Sequence, residues 1–297
     1  MSRSSRTYTV GMEIEGILAA ARPLYDPHRC YQRLVEELRR LGESAVVNRR
    51  PKSRAADYYN TDWAVTSDAS LQAGPGQVGF EAVSPIYQFQ GLRWDYAMSN
   101  FAQALRNSPF TLVPHDSAST HVHVKTAQRN FSLDELKTIC FASIVYEWHI
   151  FQMMPFHRES SLYCRGVMQG SGSIKRLFPN GLDSGESRHV RRLRQEIQQI
   201  RDAHSLVAFV QGDTRHMLWN FSNIIKVSGT IEFRGGGQGT SPSLVRTYVY
   251  IAVGFIELAL QEGLLWSNTF AAADKDYQSL LRRMRRYTTP VSPRAWP

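Results

Sequence analysis

Residues 7–20, TYTVGMEIEGILAA, alternate apolar and polar side chains at their centre, and this period of two predicts a β-strand. In such a strand Met12 and Ile14 share one face, while Glu13 and Glu15 share the other. A face with two carboxylates is either the solvent side of an amphipathic strand or one wall of a site. Other segments of the chain help to distinguish the two.

The same alternation recurs in three later segments. In THVHV, His121 and His123 lie on one face and valines on the other. In TIEFRG, Glu232 and Arg234 oppose Ile and Phe, and in VGFEAVSP, Glu81 opposes Phe and Ala. Each motif alone fits a solvent face, but solvent faces usually mix Thr, Lys and Ser. These faces carry carboxylates, imidazoles and a guanidinium, which favours a shared site.

A shared cavity would crowd four carboxylates together: Glu13, Glu15, Glu81 and Glu232. Like charges at about 4 Å repel by several kcal/mol at an effective dielectric near 20, so some would protonate unless cations lie between them. Carboxylate oxygens with few imidazoles suit Mg²⁺ or Mn²⁺, and Mg²⁺ commonly bridges carboxylates to substrate phosphates. Arg234 would then hold a phosphate and neutralise the group being transferred.

The bulk composition describes a soluble globular chain with a basic balance. The 297 residues fit one large domain or two small ones, and the net charge of +9 favours anionic partners such as nucleotides, acids or nucleic acid. Three cysteines without a CxxC pair indicate a reducing compartment. The first ten residues lack the apolar core of a signal peptide, and no apolar run is long enough for a membrane span. We therefore expect a cytoplasmic protein with no membrane partner.

Helical periodicity separates the strand segments. It predicts amphipathic or buried helices over 27–41, 89–106, 132–155, 187–211 and 241–266, and a short basic helix that ends near 287. Ser132 and Glu135 form a capping-box pattern at the start of the third helix. Residues 48–60 and 157–186 read as loops. Paired strands with long helices between them predict the α+β class, with helices packed on one face of a largely antiparallel sheet.

The order of seven motifs resembles that of the amidoligase family, which is similar to the glutamine synthetase and glutamate–cysteine ligase superfamily. The motifs, from about residue 8 to 266, are VGMEIEG, WAVTSDASL, GFEAVSPIY, THVHV, FHRESSLYCR, TRHMLWNFSN and GTIEFRGGGQGTSP. The resemblance is weakest at 45–60 and 165–212, where loops would set substrate specificity. It implies a twisted antiparallel sheet that forms a funnel-like active site, with helices on its outer face. We expect one catalytic domain over 1–290 and a tail over 291–297.

The resemblance also implies a two-metal site. It assigns Glu13 and Glu15 to different metals and adds Glu81 to the metal of Glu15. His121 resembles a ligand of the metal that Glu13 shares with Glu232.

Basic residues would bind the nucleotide. By the resemblance, His123 contacts a nucleotide phosphate and Arg234 is the phosphate-binding arginine. Arg158, Arg215 and His216 resemble residues that line the nucleotide or substrate side.

Two positions depart from the family pattern. The family often has glycine before its His-x-His motif and within a DGSL-like turn, whereas this chain has Ser119 and Thr120 before the motif and Ala69 in DASL. Both departures are tolerable where the backbone stays extended. They affect fine geometry and leave the metal ligands in place.

The implied activity is ATP-dependent amide formation. A substrate carboxylate attacks the γ-phosphate of ATP in the presence of Mg²⁺ or Mn²⁺, and an amine attacks the resulting acyl phosphate. Asp68 and Glu81 are both candidate bases for the amine, and the sequence does not choose between them. We expect small-molecule carboxylate and amine substrates, no nucleic acid partner, and a monomer or homodimer.

Two other functions remain open. A phosphotransferase of the guanidino-kinase kind would use the same metals, and a non-catalytic nucleic-acid-binding protein would use the basic segment 188–201. That segment is otherwise a solvated helix face, or its Arg191, Arg192 and Arg194 steer an acidic substrate.

Three further features have simple structural interpretations. Cys164 reads as a packing thiol. His149 with Trp148, Phe151 and Met153 reads as core. The glycine-rich GGGQG at 235–239 reads either as a phosphate-cradling loop or as a tight turn.

Overall fold

The computed structural model describes residues 6–19, 26–48, 61–183, 187–266 and 276–288. The expected tail over 291–297 and nearly all of the loop over 48–60 lie outside these residues. The described residues form nine β-strands and eleven α-helices, and most strand pairs are antiparallel. The α+β class is therefore confirmed. The chain divides into two compact units, one with residues of Met1–Ala127 and Gly236–Val249, the other with residues of Gln128–Gly235 and Tyr250–Trp296.

The first unit is built mainly on strands. Its elements are β1 (Tyr8–Ala19), α1 (Pro27–Arg40), β2 (Ala45–Val47), β3 (Trp63–Thr66), β4 (Gln77–Val83), β5 (Tyr87–Gln88), α2 (Arg93–Asn107), β6 (Thr111–Val113) and β7 (Ser119–Thr126). The strand order is β2-β3-β4-β1-β7, and β5 and β6 also pair with β1. Only β2 and β3 run parallel among these pairs. The long strand β1 is therefore the centre of this unit.

Aromatic side chains fill the core of the first unit. The rings of Trp63 and Phe101 stack with centroids 4.9 Å apart, and Phe80 packs against Phe101. Tyr31 of α1 is buried and donates a hydrogen bond to the carbonyl of Gly79 in β4. These contacts attach α1 and α2 to the strands and fix the sheet that carries the acidic residues.

The second unit is mainly helical. The remaining elements are α3 (Leu133–Val145), α4 (Glu147–Phe151), α5 (Phe156–Glu159), α6 (Val167–Gly170), α7 (Gly172–Leu177), α8 (Ser187–Gln199), α9 (Ala203–Gln211), β8 (Trp219–Asn220), β9 (Ile231–Gly237), α10 (Pro242–Gln261) and α11 (Tyr277–Thr288). Strand β9 and helix α10 each have residues in both units. In the second unit β8 pairs antiparallel with β9, and Trp219 stacks on Phe255 with ring centroids 5.1 Å apart.

The structure corrects four expectations in the second unit. The helix expected over 187–211 is two helices, α8 and α9. The single helix expected over 132–155 is two helices, because the backbone leaves helical geometry at Tyr146 (φ −97°, ψ 9°). The loop expected over 157–186 contains α5, α6 and α7, which are too short to show an apolar period. Trp148, expected in the core, is 55% exposed. The capping box of Ser132 and Glu135 is confirmed.

One described helix has the length and apolar composition of a membrane span. This is α10, and 72% of its apolar window is buried inside the protein. Burial of this kind is typical of the core helix of a soluble protein, so α10 is a core helix. The cytoplasmic location stays a prediction.

Candidate functional site

Strand register in the first unit explains why the acidic side chains face one another. Glu15 of β1 lies directly opposite Glu81 of β4, and Glu13 lies opposite His121 of β7. His123 lies opposite Gly11, two residues before Glu13. Paired residues share a face and positions i and i+2 share a face, so these five ionisable side chains on three strands point to the same side of the sheet. The alternation in the sequence therefore produces one polar face.

Three carboxylates converge on that face. One oxygen each of Glu15, Asp68 and Glu81 lies within 4.8 Å of the others. Glu15 and Glu81 are 3% and 4% exposed, while Asp68 follows β3 and is partly exposed. Ser70 donates hydrogen bonds to Oδ1 of Asp68 from its backbone N–H and from its hydroxyl, which fixes the turn. Like charges directly opposite on neighbouring strands are unfavourable without a cation between them.

This donor set fits a divalent metal. Neighbouring oxygens around Mg²⁺ are about 3–4 Å apart, because the ligands lie at 2.0–2.1 Å in octahedral geometry. Three carboxylate oxygens within 4.8 Å of one another lie near enough for small side-chain movements to bring them around one ion, and hard oxygen ligands are those that Mg²⁺ and Mn²⁺ prefer. The residues present can therefore hold the metal that the sequence predicts.

The second group on this face joins one carboxylate to two imidazoles. Oε2 of Glu13 lies 3.1 Å from Nδ1 of His121, and Oε1 lies 3.1 Å from Nε2 of His123. Burial alone would raise the pKa of Glu13, but the charge of His123 and hydrogen bonds from both imidazoles outweigh it and hold that pKa well below its usual range. Glu13 is therefore held as a carboxylate, the form that binds a metal.

Ser119 connects the two groups. Its backbone N–H and its hydroxyl both donate to Oε2 of Glu15, at 3.0 and 2.5 Å, and its Oγ lies 2.8 Å from Nε2 of His121. The residue that stands where the family often has glycine thus orients a ligand from each predicted metal position. This contact was not foreseen from the sequence.

In the second unit Glu232 is held by a different set of partners. Nδ2 of Asn220 donates to its Oε2 at 2.7 Å, and Nη1 of Arg234 contacts its Oε1. Gln211 in turn donates to Oδ1 of Asn220. Glu232 is 4% and Arg234 8% exposed, so this pair is buried and hydrogen-bonded.

The FHRESSLYCR motif lies against the same strand pair in the second unit. The backbone of Arg165 hydrogen-bonds to His216 and Leu218, and the N–H of Arg234 donates to the carbonyl of Leu218. Tyr163 places its ring 5.1 Å from that of His216, nearly perpendicular. The motif, the segment before β8 and strand β9 therefore bring Tyr163, His216 and Arg234 close together.

His216 lies in a positive environment. Burial lowers its pKa first, and the charges of Arg234, Arg215 and Arg165 lower it further, against an opposing effect of Glu232. The imidazole is therefore kept neutral while the surrounding guanidinium groups keep their charge. A cluster of this kind attracts an anion such as a phosphate or a carboxylate.

A comparison with protein families identifies the chain. The sequence profile of the family described as "Putative amidoligase enzyme" matches residues 6–246, which is most of the chain. This chain belongs to the amidoligase family. The match includes every residue that the sequence analysis assigned to the site. None of the curated proteins compared with the chain matches it.

The amidoligase structure brings together five of the predicted residues in its first unit: Glu13, Glu15, Glu81, His121 and His123. It adds Asp68, predicted only as a base, to the carboxylates of Glu15 and Glu81. In the second unit it groups the remaining predicted residues, which are Glu232, Arg234, Arg158, Arg215 and His216. The predicted sharing of one metal by Glu13, His121 and Glu232 stays a prediction.

Arg158 and the glycine-rich segment both lie in the interior of the protein. Arg158, predicted to line the nucleotide or substrate side, is 1% exposed. Gly235–Gly237 belong to β9 and are neither a loop nor a turn. They allow close packing, because a Cβ on Gly236 would lie 2.5 Å from the carbonyl oxygen of Thr120 in β7.

Two side chains that contact predicted metal ligands were missed in the sequence. Asn220 and Ser119 each hold a predicted metal ligand through a hydrogen bond. The sequence could have indicated a buried polar contact for Asn220, since it is a polar residue between Trp219 and Phe221 in an apolar strand. Ser119 gave no such indication, because a serine at the start of a strand is common and its partner is 104 residues away.

Proposed function

We propose that this amidoligase is an ATP-dependent carboxylate–amine ligase that forms an amide through an acyl phosphate. The family supports a ligase that makes amide bonds. The observation that carries the finer proposal is the convergence of Glu15, Asp68 and Glu81, two of them buried, on one position of the polar face. Such a cluster suits a divalent metal, and ATP-dependent phosphoryl transfer requires one.

Glu15 and Glu81 would hold the metal from neighbouring strands, with Asp68 facing the same position from the turn after β3. A divalent metal bound there would neutralise charge on the triphosphate and on the transferring phosphoryl group. Ser119 keeps Glu15 in place by two hydrogen bonds to one oxygen. Rigid ligands matter because phosphoryl transfer depends mostly on positioning and charge neutralisation.

The proposed reaction has two steps, and each step forms one bond and breaks another. A carboxylate oxygen of the acid attacks the γ-phosphorus of ATP, and ADP leaves. The amine nitrogen then attacks the acyl carbon, phosphate leaves with the bonding electrons, and the nitrogen loses a proton. Arg234 is the proposed phosphate-binding cation, and its buried contact with Glu232 orients its guanidinium.

The amine proton needs an acceptor. Of the two candidates, Glu81 is 4% exposed and lies within the sheet, whereas Asp68 is partly exposed in a turn. Asp68 is therefore the proposed base, since its carboxylate can meet a substrate that approaches the polar face.

Release of ADP tests this function. Wild-type protein mixed with ATP, Mg²⁺, a pool of carboxylic acids and a pool of amines should release ADP only when all four are present. Glu81→Gln keeps the shape of the side chain and removes one charge from the metal position, so ADP release should fall by about 100-fold or more. Glu36→Gln, on the exposed face of α1, should leave it unchanged. Equal rates in Glu81→Gln and wild type would contradict the proposal.

A further inference from the structure

Arg158 is a buried cation in the second unit. It lies in α5, is 1% exposed, and donates from Nη2 to the backbone carbonyl of Arg234 at 2.7 Å. Its guanidinium also contacts the thiol of Cys164. Among the described residues it has no carboxylate partner, and its Nε has no hydrogen-bond acceptor.

A buried guanidinium of this kind is costly. Removing a cation from water costs several kcal/mol even after the protein relaxes, and that cost is usually offset by an anionic partner with full hydrogen bonding. Arg158 has a carbonyl and a thiol instead. An apolar side chain of similar length would pack in the same space without that cost. The cation is therefore better explained by what it holds than by stability.

Arg158 holds Arg234, which is the proposed phosphate-binding arginine. The segment from Arg158 to Tyr163 attaches to Arg234 twice: the guanidinium of Arg158 to its carbonyl, and the carbonyl of Tyr163 to its Nε at 3.2 Å. Two short turns fix the spacing of these contacts, because the carbonyls of Arg158 and Ser161 accept from the N–H groups of Ser161 and Cys164. One attachment fixes the backbone of Arg234 and the other its side chain.

We infer that Arg158 is a positioning residue that acts through Arg234 and does not itself touch the nucleotide. The inference rests on the proposed function, because Arg234 is there the residue that binds phosphate. Arg158 fixes the backbone from which Arg234 projects, so its loss lets the guanidinium of Arg234 leave the orientation that a phosphate requires. The resemblance placed Arg158 on the nucleotide side, and its 1% exposure together with its bond to the carbonyl of Arg234 favours the positioning role.

A double-mutant cycle on nucleotide affinity tests the inference. Affinity for ATP with Mg²⁺ is measured by calorimetry for wild type, Arg158→Met, Arg234→Met and the double variant. Arg158→Met should weaken binding by about tenfold, as losses of supporting residues typically do. In the Arg234→Met background, Arg158→Met should have no further effect, because the residue it positions is absent. Losses that multiply in the double variant would overturn the inference.

The conservative variant tests whether a restored contact with the carbonyl of Arg234 restores nucleotide affinity. Arg158→Lys keeps the cation and can still donate to the carbonyl of Arg234, so it should recover much of the affinity that Arg158→Met loses. Arg283→Met is the matched control: Arg283 is a partly buried arginine of the same unit that pairs with Glu262. It should lower the thermal unfolding midpoint and leave nucleotide affinity unchanged. An equal loss of affinity in Arg283→Met would show a general structural effect and overturn the inference.

Hydrogen exchange gives a measurement that needs no nucleotide. The peptide over 231–237 should exchange its amide hydrogens faster in Arg158→Met than in wild type, and at the wild-type rate in Arg283→Met. If wild type binds no ATP, the proposed function fails, while this exchange difference still shows whether Arg158 holds the strand. No change in 231–237 would overturn the positioning role itself.

Discussion

At the scale of single residues, the candidate site residues are held by hydrogen-bonded partners, both on the polar face of the first unit and around Glu232 in the second. Glu13 is held by two imidazoles, Glu15 by Ser119, and Glu232 by Asn220 and Arg234. Each carboxylate is thereby fixed in direction, which a metal or phosphate site requires. Burial without these partners would push the carboxylates towards the neutral form.

Ser119 offers a direct test of this arrangement. Ser119→Ala removes the hydroxyl bonds to Glu15 and His121 and keeps the backbone N–H bond. Affinity for Mn²⁺, read from the electron paramagnetic resonance signal of the free ion, should fall by about tenfold. Ser143→Ala is the control, since this buried serine bonds only a carbonyl within α3. Unchanged Mn²⁺ affinity in Ser119→Ala would show that Ser119 does not orient the ligands.

The raised pKa of Glu147 predicts that the stability of the protein depends on pH. Burial raises its pKa to about 8 from an ordinary value of 4.5, and a hydrogen bond from the backbone N–H of Val167 opposes this only in part. The folded state thus binds the proton more tightly than the unfolded chain. Proton binding by Glu147 therefore stabilises the fold. This stabilisation is complete below about pH 4.5, decreases as the pH rises, and is lost above about 8.

The measurement is the free energy of unfolding in urea across that window. Glu147→Gln keeps an oxygen that can accept from Val167 but cannot ionise. The stability of this variant should therefore fall less than that of wild type between about pH 5 and about pH 8. Glu159→Gln, in α5, should follow the wild-type curve. Parallel curves for Glu147→Gln and wild type would contradict the assignment.

At the scale of elements, close approach explains the glycines of β9. A Cβ on Gly236 would lie 2.5 Å from the carbonyl oxygen of Thr120 and 2.8 Å from the ring of Tyr248. Thr120 also donates from its hydroxyl to the carbonyl of Gly237. The end of β9 therefore packs against β7, the strand that carries His121 and His123, and only glycine fits there.

Gly236→Ala should lower the free energy of unfolding by about 2 kcal/mol or more, because the backbone must shift to admit the methyl group. Gly11→Ala is the control on β1, where a Cβ would meet nothing within 4 Å. Its effect should stay within about 1 kcal/mol. Equal stability losses in the two variants, measured by urea unfolding, would show that close packing is not the reason for Gly236.

The sequence predicted these elements where a period was long enough to read. The alternation of β1 and β7 and the helical stripe of α1 are confirmed, as is the capping box at Ser132. Three-residue strands such as β2 and β6 and four-residue helices such as α5 carry too few residues to show a period. The break at Tyr146 was not visible either, because apolar spacing continues on both sides of it.

At the scale of the whole molecule, pairing of distant segments assembles the candidate site and cannot be read from any one of them. Alternation showed that Glu15 and Glu81 lie on polar faces, but only the register of β1 and β4 places them directly opposite. Asp68 joined them because the chain turns after β3, and Ser119 because β7 pairs with β1. The family resemblance supplied the ligand set, which spacing alone left open.

Helix α8 carries most of the basic segment 188–201. In α8 the apolar residues Val190, Leu193 and Ile197 are buried while Arg191 and Arg192 are exposed, the pattern of a solvated amphipathic helix. Arg194 lies over the ring of Phe141 at 5.4 Å. Steering of an acidic substrate by this helix stays a prediction, and so does the monomeric or dimeric state.

Mass spectrometry of the reaction products distinguishes amide formation from other uses of ATP. Wild-type protein is incubated with ATP, Mg²⁺, mixed carboxylic acids and mixed amines, and the products are compared with those of Glu81→Gln. We expect a new mass equal to one acid plus one amine minus water, formed together with ADP and phosphate and absent from the variant. A stable phosphorylated compound with no amide, formed at the expense of ATP, would contradict it and identify a phosphotransferase.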